Sequence, residues 1–382
     1  MLRPSSQKEG HAMRSTQTPS VRSKPPKPLT PSTTSGWLLT LLASLATPPI
    51  ANTANAAGTP TAATCDASCL KGFMDTYLDA LNKHDPSLVP TAPHYRYTEN
   101  GAQIPLGEAL WVTFNSFGKY RHDVSDPETG GIASFVSLTE NHEFPFPDLL
   151  AVRLKIVNRK ITEIETVVAR HARAAGNLPP QDPSWMQIME RVEPESTRVS
   201  RETLKKGALA YMRAITFHDG SLAPFAKSCI RLENGGVTAL GPGDKPPVPE
   251  LKMPPPANGA PPTPSFFLLG LGCGDQLSHL SYSFITGYED AHFPIVDTQR
   301  QLVFATFNFT RRGNVETWPL DGKSVPFPEG MRYPNEMLNT EIFKFVDGKI
   351  TRVEAVFTGP QAYMLGTGWP GGTKAESRPI GK

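Results

Sequence analysis

The chain lacks any uninterrupted apolar run of about 18 residues, so a polytopic helical membrane protein is excluded. Charge is also scarce: 19% of residues are Asp, Glu, Lys or Arg, against about 25% in an ordinary domain. Cysteine is limited to four residues, with no C-x-x-C pair and no histidine at zinc-ligand spacing beside them. G-x-S-x-G, H-E-x-x-H and Walker motifs are missing. The run Gly270-Leu271-Gly272-Cys273-Gly274 has neither the spacing nor the βαβ surroundings of a dinucleotide fingerprint. Nothing calls for a nucleotide, a metal or another cofactor, so any catalysis is expected to be acid–base work by side chains.

Proline, by contrast, is plentiful, at 39 of 382 residues. The 38% of hydrophobic residues still suffices for packed cores, which excludes a wholly disordered chain and suggests about two domains. Residues 1–36 carry six basic side chains against Glu9 alone, and the short apolar run from Gly36 to Ala46 follows. Ala54-Asn55-Ala56 then offers small residues for cleavage after Ala56, so residues 1–56 read as a signal peptide. An uncleaved anchor is the alternative. Its removal leaves 32 basic and 35 acidic side chains, a net charge near −3. With no basic stripe left, nucleic-acid binding is not expected. The mature protein is expected outside the cytoplasm, secreted or periplasmic, and not embedded in a membrane.

Four cysteines in an exported chain suggest two disulfides, with three possible connectivities. The local pairing, Cys65 with Cys69 and Cys229 with Cys273, is preferred. The first pair flanks a helix start and the second would clip a long loop.

The chain also repeats itself. The segment Tyr77 to Pro90 matches Tyr211 to Pro224 at an offset of 134, which still holds at Glu99-Asn100-Gly101 and Glu233-Asn234-Gly235. Further on, Leu154 to Thr162 matches Phe343 to Thr351 at an offset of 189, so the second copy is longer by 55 residues. Each copy opens with an amphipathic helix, marked by Leu70, Met74, Tyr77 and Leu81 in one and by Leu204, Ala208, Tyr211 and Ile215 in the other. A His-Asp pair follows each helix, where His84 and His218 read most simply as helix-end residues. Each copy closes with a β-hairpin, turned at Asn158-Arg159 and at Asp347-Gly348. Helices first and strands last, twice, without a βαβ rhythm, predict an α+β fold. The expected layout is a first unit over 57–173, a linker over 174–199, a second unit over 200–370 and a frayed tail over 371–382. A proline-rich insertion at 242–264 falls inside the second unit.

The residues Cys65-Asp66-Ala67-Ser68-Cys69-Leu70, Tyr97 to Gly101, Arg231 to Gly235, Phe293 to Asp297 and Glu341 to Phe345 carry a resemblance. Helix, His-Asp and closing hairpin together resemble the nuclear transport factor 2-like fold, SnoaL-like proteins included. The whole mature chain is similar to an exported bacterial and fungal family of unknown function with two such units. The resemblance implies two cones of helix and curved antiparallel sheet, packed as an intramolecular pseudo-dimer, each able to take a small apolar molecule. It does not imply a reaction.

If Asp347-Gly348 is a two-residue turn, counting back residue by residue from Val346 and Lys349 sets Glu341 opposite Glu354. Two acids abreast in an apolar cone would share a proton and could give and take it near neutrality. The same count sets Val152 opposite Glu165 in the first copy, so the second copy is expected to be the active one. Glu233, His279 and Tyr282 are the assisting candidates for proton transfer. Tyr211, His218, Asn234, Trp111 and Glu99 are candidates for contacting a ligand, although Asn-Gly also suits a plain turn and Trp111 a plain core. The sequon Asn308-Phe309-Thr310 lies on a strand pattern that would close it. The expected function is binding of a small hydrophobic or aromatic hydroxylated molecule, with cofactor-free lyase or isomerase chemistry. A non-catalytic carrier, or a protein that docks a partner through its sheets and proline loop, is the alternative.

Overall fold

The computed structural model describes residues 65–141, 146–249, 265, 267–359, 361, 366–369 and 371–376. The expected signal peptide, its cleavage site at Ala56 and residues 250–264 of the proline-rich insertion lie outside the described residues.

The first copy begins with helix α1 (Ala67–Asn82). Asp66 starts it by accepting the Cys69 amide at 2.8 Å, an N-cap that satisfies one of the free donors of the first turn. After the helix, His84 takes a left-handed conformation (φ 53°) and Asp85 starts a short turn by accepting the Ser87 amide at 3.0 Å. The chain then enters β1 (Thr91–Glu99), β2 (Ala102–Gln103), a single helical turn α2 (Leu110–Thr113), β3 (Phe114–Asp126), β4 (Gly131–Glu140), β5 (Pro147–Val157) and β6 (Lys160–Ala169). These strands form one sheet in the order β2-β1-β6-β5-β4-β3.

Residues 174–199, expected as a linker, are folded. They hold α3 (Ser184–Glu190), whose Trp185 and Met189 are buried. The second copy repeats the first from α4 (Arg201–Phe217), through β7 (Phe225–Glu233), β8 (Gly236–Ala239), α5 (Gly272–Ser278), β9 (Gly287–Asp297) and β10 (Leu302–Arg311). A small hairpin follows, β11 (Thr317–Leu320) with β12 (Lys323–Pro326), then β13 (Asn335–Val346) and β14 (Lys349–Phe357). The last strand, β15 (Thr373–Glu376), corrects the expectation of a frayed tail, because it pairs with β9 at the sheet edge. The second sheet runs β15-β9-β10-β13-β14-β7-β8, the first sheet's order with one strand added.

Neither sheet is antiparallel throughout, as had been expected. β1 runs parallel to β6 and β7 parallel to β14. Each of these strands arrives from a helix and not from a hairpin, so no tight turn dictates its direction. The α+β class and the two-part architecture stand.

Each sheet has one face against its helix. Tyr97, Val152, Leu154 and Ile164 pack with Leu70, Met74 and Tyr77 in the first copy. Phe307, Phe343 and Val353 pack with Leu204, Tyr211 and Ile215 in the second. The two remaining faces meet each other, where Phe135, Ala151 and Val167 pack with Phe304, Leu338, Ile342 and Val356 and with Trp185 from the connection. Alternation along each strand assigns these faces, since successive side chains point to opposite sides. Asn308 is buried, which closes the sequon. Across this junction Glu354 meets His122 at 3.1 Å, and Glu165 meets His292 at 3.6 Å. Each copy thus lends one glutamate to a histidine of the other, the reciprocity of a two-fold contact.

Candidate functional site

The closing hairpin of the second copy, β13 to β14, is the one expected to bring the two acids together. Its turn is as expected: Asp347 and Gly348 have φ of 50° and 71°, and Val346 pairs with Lys349. One residue later the register slips. Phe345 pairs with Ile350 but Lys344 with Arg352, which leaves Thr351 as a bulge whose hydroxyl donates to the Lys344 carbonyl at 3.3 Å. Beyond it Glu341 faces Ala355 and Glu354 faces Ile342. A one-residue slip exchanges faces. The two acids therefore do not form a pair, and the expectation that they stand abreast is corrected. The first copy carries the same bulge at Thr162, so Glu165 pairs with Arg153 and not with Val152.

Glu354 turns into the junction of the sheets. There it accepts the Tyr120 hydroxyl at 2.5 Å and contacts His122, closed off from any ligand by the packed faces. Glu341 turns the other way, toward α4, and is buried. Burial and repulsion from Glu233 push its pKa up to about 8, offset in part by Arg231 and by a hydrogen bond with Tyr211. Its Oε2 has no hydrogen-bond partner.

Two further side chains come from β7, where the period of two puts Arg231 and Glu233 on the same face. They form an ion pair at 2.9 Å. The Arg231 guanidinium is wholly buried, donates to Thr238 at 2.9 Å and to Gln276 at 2.7 Å, and bonds the Tyr282 hydroxyl. Its charge also sits 4.6 Å from the Tyr282 ring centre.

Of these groups Glu233, Tyr282 and Glu341 line a cavity of about 90 Å³, with Arg231 behind them. Its strand side is Phe309, Arg311, Asn339, Glu341 and Phe357, and Ile215 of α4 closes one end. The opposite wall is Phe267, Tyr282, Phe284 and Ile285. All four lie in the long β8–β9 connection of the second copy, which the Cys229–Cys273 disulfide ties to β7. The other bridge is Cys65–Cys69, so both preferred pairings hold.

A family described as Domain of unknown function (DUF8021) matches residues 64–168 and 197–357, more than half of the chain. The chain belongs to this family. The two matched stretches coincide with the two copies, α1 to β6 and α4 to β14, and they leave out the connection between them. No curated protein matches the chain. Among the described residues no helix is long and apolar enough to cross a membrane.

In this family member the other expected site residues are dispersed. His279 is exposed at the end of α5, which removes it from the acid–base candidates: the buried residues of that turn are Gln276 and Leu277. His218 ends α4 in a left-handed conformation and its Nε2 bonds the Ile285 carbonyl at 3.0 Å. Its role is to hold the cavity wall. Burial lowers its pKa. Asn234 takes the first position of the β7–β8 turn (φ 47°) and clamps the Phe357 backbone, N–H and carbonyl both at 3.0 Å. Asn100 does the same to Val168. Trp111 and Glu99 belong to the first copy's interior. Trp111 packs edge-on to Tyr77 at 5.5 Å, and Glu99 accepts the Leu110 amide at 3.0 Å and pairs with Arg170 at 2.8 Å. Tyr211, Glu233, Tyr282 and Glu341 are the expected residues that the fold does bring together. Arg231, Arg311 and Asn339 were missed. The two-residue spacing from Glu233 could have found Arg231, once the face was known.

Proposed function

We propose that the second copy's cavity binds a small molecule with an apolar body and an oxygen function, and that Glu341 exchanges a proton with it. The observation that carries this reading is a buried carboxyl, its pKa pushed up to about 8, on a residue that lines the cavity. A carboxyl with a pKa of about 8 is largely protonated at pH 7 and can donate to a departing or developing oxygen. The resulting Glu341 carboxylate would lie near Arg231, and Tyr211 is placed to hydrogen-bond it. Such a step belongs to a lyase or isomerase that needs no cofactor for the proton transfer itself. The resemblance to nuclear transport factor 2-like units fits a cone between helix and sheet as the binding place. Two disulfides fit an oxidising compartment, and with the expected signal peptide they support action outside the cytoplasm.

Screening small hydroxylated aliphatic compounds by native mass spectrometry and thermal shift should find a ligand, and product analysis should then show its conversion. Glu341→Gln is expected to keep binding but lose about 100-fold or more in turnover. Unchanged turnover in that variant would remove Glu341 from the chemistry. Binding without any product would favour a carrier, a reading supported by the way Arg231 is already engaged by Glu233, Thr238 and Gln276.

A further inference from the structure

Arg311 ends β10 on the cavity face, in step with Phe307 and Phe309, and only 6% of it is exposed. Its company is poor for a buried cation. The guanidinium lies 4.8 Å from the Phe284 ring centre, and Nη2 contacts the Met337 sulfur at 3.2 Å. The Nε has no partner. Among the described residues no carboxylate reaches ion-pair distance of Arg311. The nearby acid, Glu233, is already engaged by Arg231 at 2.9 Å. Burial lowers the Arg311 pKa to about 10, with only Glu233 acting against it.

Arg153 shows what a satisfied buried guanidinium looks like here, with Glu165 and Glu163 each at 2.7 Å. An ion removed from water without a partner is costly, and a thioether replaces little of the lost hydration. Arg311 and Glu341 line the same small space, together with Phe284, Phe309 and Phe357.

We infer that the ligand carries a carboxylate that docks on the Arg311 guanidinium, with its apolar body against the phenylalanine rings. Guanidinium and carboxylate match as a charge-assisted pair, stronger than neutral hydrogen bonds. The inference rests on the cavity being a ligand site, and it narrows the ligand to small carboxylic acids. The limited volume favours short ones: about 150 Å³ holds a benzene ring, and this cavity is smaller.

The test uses acetate, propionate and butyrate beside acetamide, propionamide and butyramide, followed by ligand-observed NMR on the whole protein. The acids are expected to bind about tenfold or more tightly than their amides. Arg311→Met, an apolar replacement of similar length, should abolish the preference, the acids then binding no more tightly than their amides. Arg311→Lys should restore part of it, and this second variant keeps the test usable if the first folds badly. Equal binding of acids and amides overturns the carboxylate inference but leaves the cavity as a ligand site. A preference that survives in Arg311→Met also overturns it. Binding of none of the six overturns both.

Discussion

The two copies share a helix, a strand order, a bulge and a clamping asparagine, yet among the described residues bulky side chains pack under the first helix and a cavity lies under the second. Where the second copy has Arg231 and Glu341, the first has Tyr97 and Val152 at the same offsets of 134 and 189. Tyr77, Trp111 and Phe114 fill the space under α1. Glu99, the counterpart of Glu233, is engaged by Arg170 and the α2 backbone. The second copy spends its extra length on the walls of a cavity: the β8–β9 connection supplies Phe267 to Ile285, and the β10–β13 connection supplies Met331. The lesson is that a duplicated fold can divide labour. One half pairs its buried charges, as Glu99 with Arg170, while the other keeps Glu341 and Arg311 beside a cavity with a polar atom of each unpartnered, and a shared sheet face is the joint.

The sharpest way to break this comparison is to exchange the two interiors at one position. Val152→Glu would place a carboxyl in the first copy where neither an arginine equivalent to Arg231 nor open space awaits it. We expect a loss of about 5 kcal/mol in unfolding free energy at pH 8, smaller at pH 5 where the acid can stay protonated. The reciprocal Glu341→Val should be neutral or stabilising, because a buried ionisable group is often replaced by an apolar one without loss. Denaturant unfolding of the two variants reads both outcomes. If Val152→Glu is mild, the first interior is not the packed partner described here.

Much of this was legible in the sequence, but only where the rule was local. Helix faces, the His-Asp turns, Asp347-Gly348 and the duplication follow from periodicity and from the preference of Asn, Asp and Gly for left-handed positions. The cysteine pairing was legible as well. What misled the reading was Thr351: a bulge inserts a residue without any sequence marker, and parity is lost for every residue beyond it. Glu354 was thereby assigned to the cavity when it belongs to the joint between the sheets. The folded connection was hidden for another reason. Prolines 179, 180, 183 and 194 suggest an open linker, yet Trp185 and Met189 are buried by surfaces that exist only once both sheets have formed.

The disulfides separate the copies less strongly than the exchange at Val152. Cys229–Cys273 closes a span of 44 residues and Cys65–Cys69 a span of 4. By loop entropy alone, their removal should cost about 4 and about 2 kcal/mol respectively. Cys229→Ser with Cys273→Ser should also speed hydrogen exchange at Leu277 to Ile285 and leave the first copy's amides protected. Equal costs for the two bridges, or exchange that rises in both copies alike, would show that the wall is not held by its bridge.

A further contrast concerns the titration of Glu341, and its sign is fixed by burial. The folded protein holds this proton up to about pH 8, whereas an unfolded glutamic acid releases it near pH 4.3. Stability from this group is therefore intact below about pH 4.3, falls as pH rises through the interval, and is fully lost above about pH 8. Glu341→Gln has no proton to lose. Measured against the native protein, the variant should therefore gain about 4 kcal/mol of stability between pH 5 and pH 8.5. No group in the first copy's interior stands at this position, so Val152→Gln should give a pH-independent cost. A difference between Glu341→Gln and the native protein that stays the same at both pH values would mean that Glu341 ionises as freely as an exposed acid, and the contrast between the two copies would lose its electrostatic half.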